Sequence, residues 1–184
     1  MPKPSAPVVT IDVRIARIES LFESLDPSPF HDRDLDPKAL DYIVGWAREY
    51  PSDAAFRLRL HLPGPEAARA GAGDVAAAIR ANFTYWADSE ARDRREQFRM
   101  GRRYLAIGLS VLALCLLIRE SLPALIGASP LTQFLGEGLA ILGWVSNWRP
   151  LETLLYDWWP IHRRLTLYRR LAKSEVEIVP AEAG

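Results

Sequence analysis

Cysteine occurs once in the 184 residues, at Cys115, which excludes a disulfide framework and any zinc site built on paired thiolates. Net charge is missing too, with 23 Lys and Arg against 23 Asp and Glu. That balance excludes a chain held on nucleic acid by bulk positive charge, and it argues against an acidic disordered protein. The three histidines, at 31, 61 and 162, share no metal-ligand spacing. Gly64, Gly71 and Gly73 lack the lysine and hydroxyl context of a phosphate loop, and there is no Gly-x-Ser-x-Gly turn. No metal, cofactor or nucleic acid is expected.

The charge that is present is unevenly placed. Six basic residues face three acidic ones over 89–103, and six face two over 149–173; between the blocks stand one and two. Two basic blocks bracketing a nearly uncharged segment are the pattern of a membrane hairpin whose flanks stay on one side. Residues 104–118 carry no charge, and residues 131–148 carry only Glu137. At ~1.5 Å per residue these helices reach roughly 22 and 27 Å, slightly less than a ~30 Å hydrocarbon core. Arg102, Arg103 and Arg119 can snorkel to make up the difference. Spans are expected at about 104–120 and 131–148, joined by a turn containing Pro123, Gly127 and Pro130. The alternative is a buried helical hairpin in a water-soluble protein. Met1–Ile15 lacks the apolar stretch of a signal peptide. The positive-inside rule puts both termini in the cytoplasm.

Residues 1–88 read as a small α/β domain. Val9, Ile11, Val13 and Ile15 alternate with polar residues, as do Phe56, Leu58, Leu60 and Leu62, the period of a half-buried strand. Asp36-Pro37 supplies an N-cap and a first-turn proline, after which Leu40, Ile43, Val44 and Ala47 form a helical stripe. Val75, Ile79, Phe83 and Trp86 mark another helix, and no proline interrupts the chain from Glu66 to Leu122. That helix is free to run through the basic juxtamembrane block, 89–103, into the first span. Two strands make a poor sheet. Either residues 16–25 supply a third strand, or a second copy pairs with an open edge.

Beyond the second span, Trp148, Trp158 and Trp159 have the placement of an interfacial aromatic belt. Residues 149–173 read as a basic amphipathic helix on the cytoplasmic leaflet, with Arg163, Arg164, Arg169 and Arg170 joining Arg102 and Arg103 as contacts to anionic lipid. The competing reading packs this helix on the soluble domain. Residues 174–184 form an acidic tail. The expected fold is therefore α+β: the small α/β domain on a long helix, a two-helix transmembrane hairpin, then an interfacial helix.

Candidate chemistry is sparse. The aspartates at 32, 34 and 36 are spaced like the start of a calcium loop, but Pro37 and Ile43 stand where glycine and a bidentate glutamate are required. His31, oriented by Asp32 or Asp34, is a weak general-base candidate; the alternative is a proline-rich turn whose side chains satisfy backbone groups. Cys115 reads as a small hydrophobe. Glu137 is an ionisable residue inside a span, where such residues face a partner or water. An Arg119–Glu137 pair locking the hairpin is expected, with an ion or proton role as the alternative. Gly136, Gly138 and Gly143 permit close helix contact. Trp46, with Tyr42 and Tyr50, lies off the apolar stripe of its helix and suits a contact between copies.

The run from Ser28 to Pro37, the segment Tyr42–Glu49, Gly143-Trp144-Val145, Trp148–Glu152 and Tyr156–Pro160 together resemble a family of small uncharacterised bacterial membrane proteins. The resemblance covers about residues 19 to 172. It implies the architecture and a bacterial inner-membrane location, and attaches no activity. The expected function is a non-enzymatic, homo-oligomeric assembly or scaffold element. A subunit of a transport or ion-conducting complex, with Glu137 in the pathway and a membrane-protein partner, is the second reading. A membrane-bound hydrolase or ligand-binding domain using His31 is the third.

Overall fold

The computed structural model describes residues 7–23, 33–69 and 71–181. The fold is α+β, with a small parallel sheet and one long apolar helix. The chain divides into two compact units, Met1–Glu90 with Arg163–Gly184, and Ala91–His162. The first unit thus recruits the C-terminal end of the chain, where the sequence placed a boundary at residue 88.

Three strands build the first unit: β1 (Val8–Arg14), β2 (Ala55–Pro63) and β3 (Glu175–Ala181). The order is β1-β2-β3 and both pairings are parallel, with Ile11 opposite Leu58 and Leu58 opposite Val176. The third strand, Glu175–Ala181, lies within the segment expected only as an acidic tail over 174–184. It corrects the alternatives offered for the missing strand, since Ile18–Leu21 form a 3-10 turn with Ile18 and Leu21 buried. The reason is pairing across strands: Glu175 and Glu177 meet Arg57 at 2.8 Å and Arg59 at 3.4 Å. Their acidity is matched by β2, and Val176 and Ile178, which alternate with them, are half-buried.

Helix α1 (Pro37–Arg48) links β1 to β2 and starts as the sequence requires: the Asp36 carboxylate accepts from the amides of Lys38 and Ala39. Its stripe of Ile43, Val44 and Ala47 is buried. The short α2 (Gly64–Arg69) follows β2, then α3 (Ala72–Ile126). Both crossovers step the same way along the sheet, and crossovers of the usual right hand then lie on one face. The burial pattern agrees. Ile11, Val13, Phe56, Leu58, Leu60 and Leu62 are buried, each large side chain contributing ~1.5–3 kcal/mol. The opposite face carries Asp12, Arg57, Arg59, His61, Glu175 and Glu177 in a ladder of exposed ion pairs. A parallel sheet is ordinarily covered on both sides; among the described residues this one is covered on one.

In the second unit α3 continues without a break to Ile126, six residues beyond the end expected for the first span. Pro123 lies in its last turns, and the helix stops at Gly127, whose φ of +83° is the left-handed conformation glycine adopts at such ends. Ser129 caps α4 (Pro130–Val145), accepting from the Thr132 amide. The connection is therefore only residues 127–129. The stretch 149–173 is not one helix. It comprises α5 (Trp148–Glu152), a π-helical turn (Thr153–Asp157) and α6 (Trp158–Leu171). Pro160 cannot donate a backbone hydrogen bond, which fits the change of pitch just upstream.

Candidate functional site

Gly101, Gly108 and Cys115 recur every seventh residue on α3, and Gly136, Gly143 and Pro150 do so on α4 and α5. All six are buried. They form the seam of the second unit. A Cβ on Gly143 would stand 2.8 Å from Leu112 Cδ1 and 3.2 Å from its Cα; one on Gly108 would stand 2.7 Å from Asn147 Oδ1. Two backbones approach this closely only where side chains are absent. Asn147, itself buried, donates through Nδ2 to the carbonyls of Gly108 at 3.1 Å and Gly143 at 3.0 Å, clamping one helix to the other. Cys115 packs in the seam beside Gly143, in keeping with a small apolar role.

The large apolar side chains point the other way. Leu117 is 66% exposed and Phe134 72%, with Ile107, Ile141 and Trp144 comparably open. This is the reverse of a water-soluble core. Helix α3 is long and apolar enough to cross a membrane. At 16 residues α4 is shorter than the ~20 of a full span.

Beside the 127–130 turn, Arg119, Glu120, Gln133 and Glu137 line an open cleft of about 600 Å³. The expected Arg119–Glu137 ion pair does not form. Residues 136 and 137 lie ~100° apart around α4, so Gly136, not Glu137, faces Arg119, whose Cγ would be 3.2 Å from a Cβ there. Glu137 Oε1 instead accepts from Gln133 Nε2, one turn away, at 3.3 Å.

At the other end of the seam the tryptophans gather. Trp158 contacts Phe98, Trp159 and His162 with ring centroids about 6 Å apart. Arg94 donates to His162 Nδ1 at 3.2 Å. Trp148 and Trp159 are exposed. Arg102 and Arg103 are exposed and enter no ion pair among the described residues.

Of the four cations assigned to the C-terminal helix, Arg163 and Arg169 are exposed. Arg164 meets Glu90 at 2.7 Å. Arg170 donates to the carbonyls of Pro51 and Ala54 and lies 4.4 Å above the Phe56 ring. Leu165, Tyr168 and Leu171 are buried in the α/β core. This part of α6 is consequently a core helix, which corrects the reading of 149–173 as lying wholly on a leaflet: its apolar stripe already has a protein surface to cover. Burial lowers the Arg170 pKa, and burial with the nearby Glu90 carboxylate raises that of Tyr168.

His31 and Asp32 fall outside the described residues. Asp34 Oδ1 accepts from Asn82 Nδ2 at 2.9 Å, so this carboxylate ties the loop to α3. Trp46 is exposed and edge-on to Tyr42, whose hydroxyl donates to the Asp12 carbonyl at 3.2 Å. Sequence reasoning missed Asn147, although a lone amide closing an apolar stretch was a visible signal. It assigned Arg170 to lipid, because the Pro51 and Ala54 carbonyls that hold it are more than 110 residues away in the chain. Compared with protein-family models, with functionally characterised proteins and with solved structures, the chain matches none.

Proposed function

We propose that the chain is a non-enzymatic inner-membrane protein, a two-span anchor carrying a cytoplasmic α/β domain and serving as an assembly or scaffold element. One observation carries this reading: the second unit buries glycines and exposes leucines. In water each large apolar side chain left out forfeits ~1.5–3 kcal/mol of burial. In lipid nothing is forfeited, and close backbone packing with interhelical hydrogen bonds is what holds helices together. The basic blocks at 89–103 and 149–173 favour cytoplasmic flanks, and exposed Trp148 and Trp159 suit the headgroup level. Arg102, Arg103, Arg163 and Arg169 are the cations available to anionic lipid at ~1 kcal/mol each, strongly reduced by salt. The anchor acts as a homo-oligomer, with exposed Trp46 in the contact.

The test is alkaline extraction of membranes from cells making the full chain, paired with reporters fused after Gly184. The protein should stay with the membrane, and only a reporter active in the cytoplasm should light. Release into the supernatant defeats the anchor; a periplasmic signal defeats the topology.

A second reading has a specific observation behind it. Glu137 is exposed beside Arg119 in an open cleft without pairing to it, and an unneutralised carboxylate in an apolar unit suits an ion or proton pathway. Under this reading the chain is a subunit of a transport complex. Proteoliposomes would then show ion flux that Glu137→Gln abolishes; equal flux with and without the carboxylate ends it.

A further inference from the structure

Because all three strands run the same way, their carboxyl ends meet at one edge of the sheet. Arg14 ends β1, His61–Pro63 end β2 and Val179–Ala181 end β3. Ligands of open α/β sheets bind beyond this edge, where the chain leaves the strands and the connections diverge. Here the edge borders a cleft of about 650 Å³ lined by Arg14, Ile15, His61, Pro63 and Pro180 among others. That is within the ~300–1,000 Å³ of small-molecule sites. The strand order has no reversal, so the strand ends themselves form the wall, and Arg14, His61, Pro63 and Val179 bring the cleft onto the polar face.

Charge along that face is banded by the register. Thr10, Arg57 and Glu175 form one row, and Asp12, Arg59 and Glu177 the next. Arg57 and Glu175 pair at 2.8 Å in the first row; in the second the single Arg59 is shared by Asp12 at 3.8 Å and Glu177 at 3.4 Å. The row at the carboxyl ends is Arg14, His61 and Val179, which contains a cation and no carboxylate. Arg14 is exposed and in no ion pair among the described residues. His61 Nε2 lies 2.7 Å from Asp12 Oδ1, which fixes the ring and leaves Nδ1 as the second polar atom. The Asp12 carboxylate is itself engaged, by His61 Nε2 and by Arg59 at 3.8 Å.

We propose that this cleft is a binding site for the phosphate group of a small organic phosphate. Arg14 offers a planar fork suited to two phosphate oxygens. His61, on the neighbouring strand ~4.8 Å away, shares a proton with the third oxygen through Nδ1, held in place by Asp12. Ile15, Pro63 and Pro180 give apolar walls for the organic body. The same chemistry would accept either a soluble phosphate monoester or a phosphatidate headgroup.

The full chain in non-ionic detergent, titrated calorimetrically with phenyl phosphate, tests the assignment. Saturable binding is expected, with benzyl alcohol not binding. Arg14→Gln should weaken it about tenfold or more, the scale of a lost charge-assisted hydrogen bond, and His61→Gln several-fold. Lys38→Gln, which removes an exposed cation at the start of α1, should leave it unchanged. Competition by phosphatidate in mixed micelles would assign the site to a lipid headgroup; no competition would assign it to a soluble ligand. Absence of saturation overturns the proposal. So does a loss in Lys38→Gln equal to that in Arg14→Gln, which would reduce the binding to general charge. His61 is exposed enough for Gln to fold, and Asp12→Asn, which keeps the hydrogen-bonding shape, should weaken binding less than His61→Gln; the reverse order would refute the positioning role.

Discussion

Single residues in this protein act through burial more than through charge. Tyr168 stacks on Phe83 at 6.4 Å and lies near Trp86 and the Glu90 carboxylate, which with desolvation raises its pKa above the ordinary 10.0. The folded state therefore holds the phenolic proton after the unfolded chain has released it. Stability contributed this way is complete below pH ~10 and falls as pH rises through the higher folded value. Thermal midpoints measured across the alkaline range should drop, and Tyr168→Phe should flatten part of that drop; an unchanged slope would remove Tyr168 as a cause. In the seam, Gly143→Leu forces a side chain against the Leu112 backbone, which cannot yield as a flexible chain end can. A loss of about 3 kcal/mol is expected. Asn147→Leu removes two hydrogen bonds and should cost about 1 kcal/mol. Unfolding in detergent should rank the two in that order.

Elements show where local sequence signals suffice. The Asp36 cap, the Pro37 start and the Ile43–Val44–Ala47 stripe specify α1 without help from elsewhere, and the alternation of Phe56 to Leu62 specifies β2. The tail was harder. Glu-Val-Glu-Ile is a short alternating stretch that looks solvated until Arg57 and Arg59 stand beside it. Deleting residues 175–184 should therefore expose one side of β2 and cost about 3 kcal/mol, from partial burial of Val176 and Ile178 and lost ladder hydrogen bonds. Hydrogen exchange of the Leu58 and Leu60 amides should accelerate. Full protection in the truncated chain would show that β3 adds nothing to the sheet. Helix α6 makes the same point: its amphipathic pattern was legible, but the surface it covers was not, because a helix packed on protein and one lying on lipid share one periodicity.

For the molecule as a whole, the third strand from the same chain removes one of the two reasons for expecting association, leaving β1 and β3 as edges and Trp46 as an exposed aromatic. Association is still the expectation, with the apolar outer surface of the second unit as a further contact. Native mass spectrometry in mild detergent should give a multiple of the chain mass, reduced by Trp46→Ala. A monomer over a hundredfold concentration range would rule association out. A multimer indifferent to Trp46→Ala would move the contact to the apolar unit.

The sequence alone determined what depends on neighbours along the chain: the caps, the stripes, the unbroken helix through the basic block, and the apolar composition of the segment after it. Periodicity and charge density are local quantities, and they survive without a fold. Tertiary structure decided what depends on distant partners. It chose the C-terminal tail as a strand, gave Arg170 to the carbonyls of Pro51 and Ala54, and turned Gly136 rather than Glu137 toward Arg119. It also put Arg14 and His61 side by side at the carboxyl end of the sheet's polar face. Those outcomes rest on strand register and helix rotation, where one residue's shift exchanges the buried face for the exposed one.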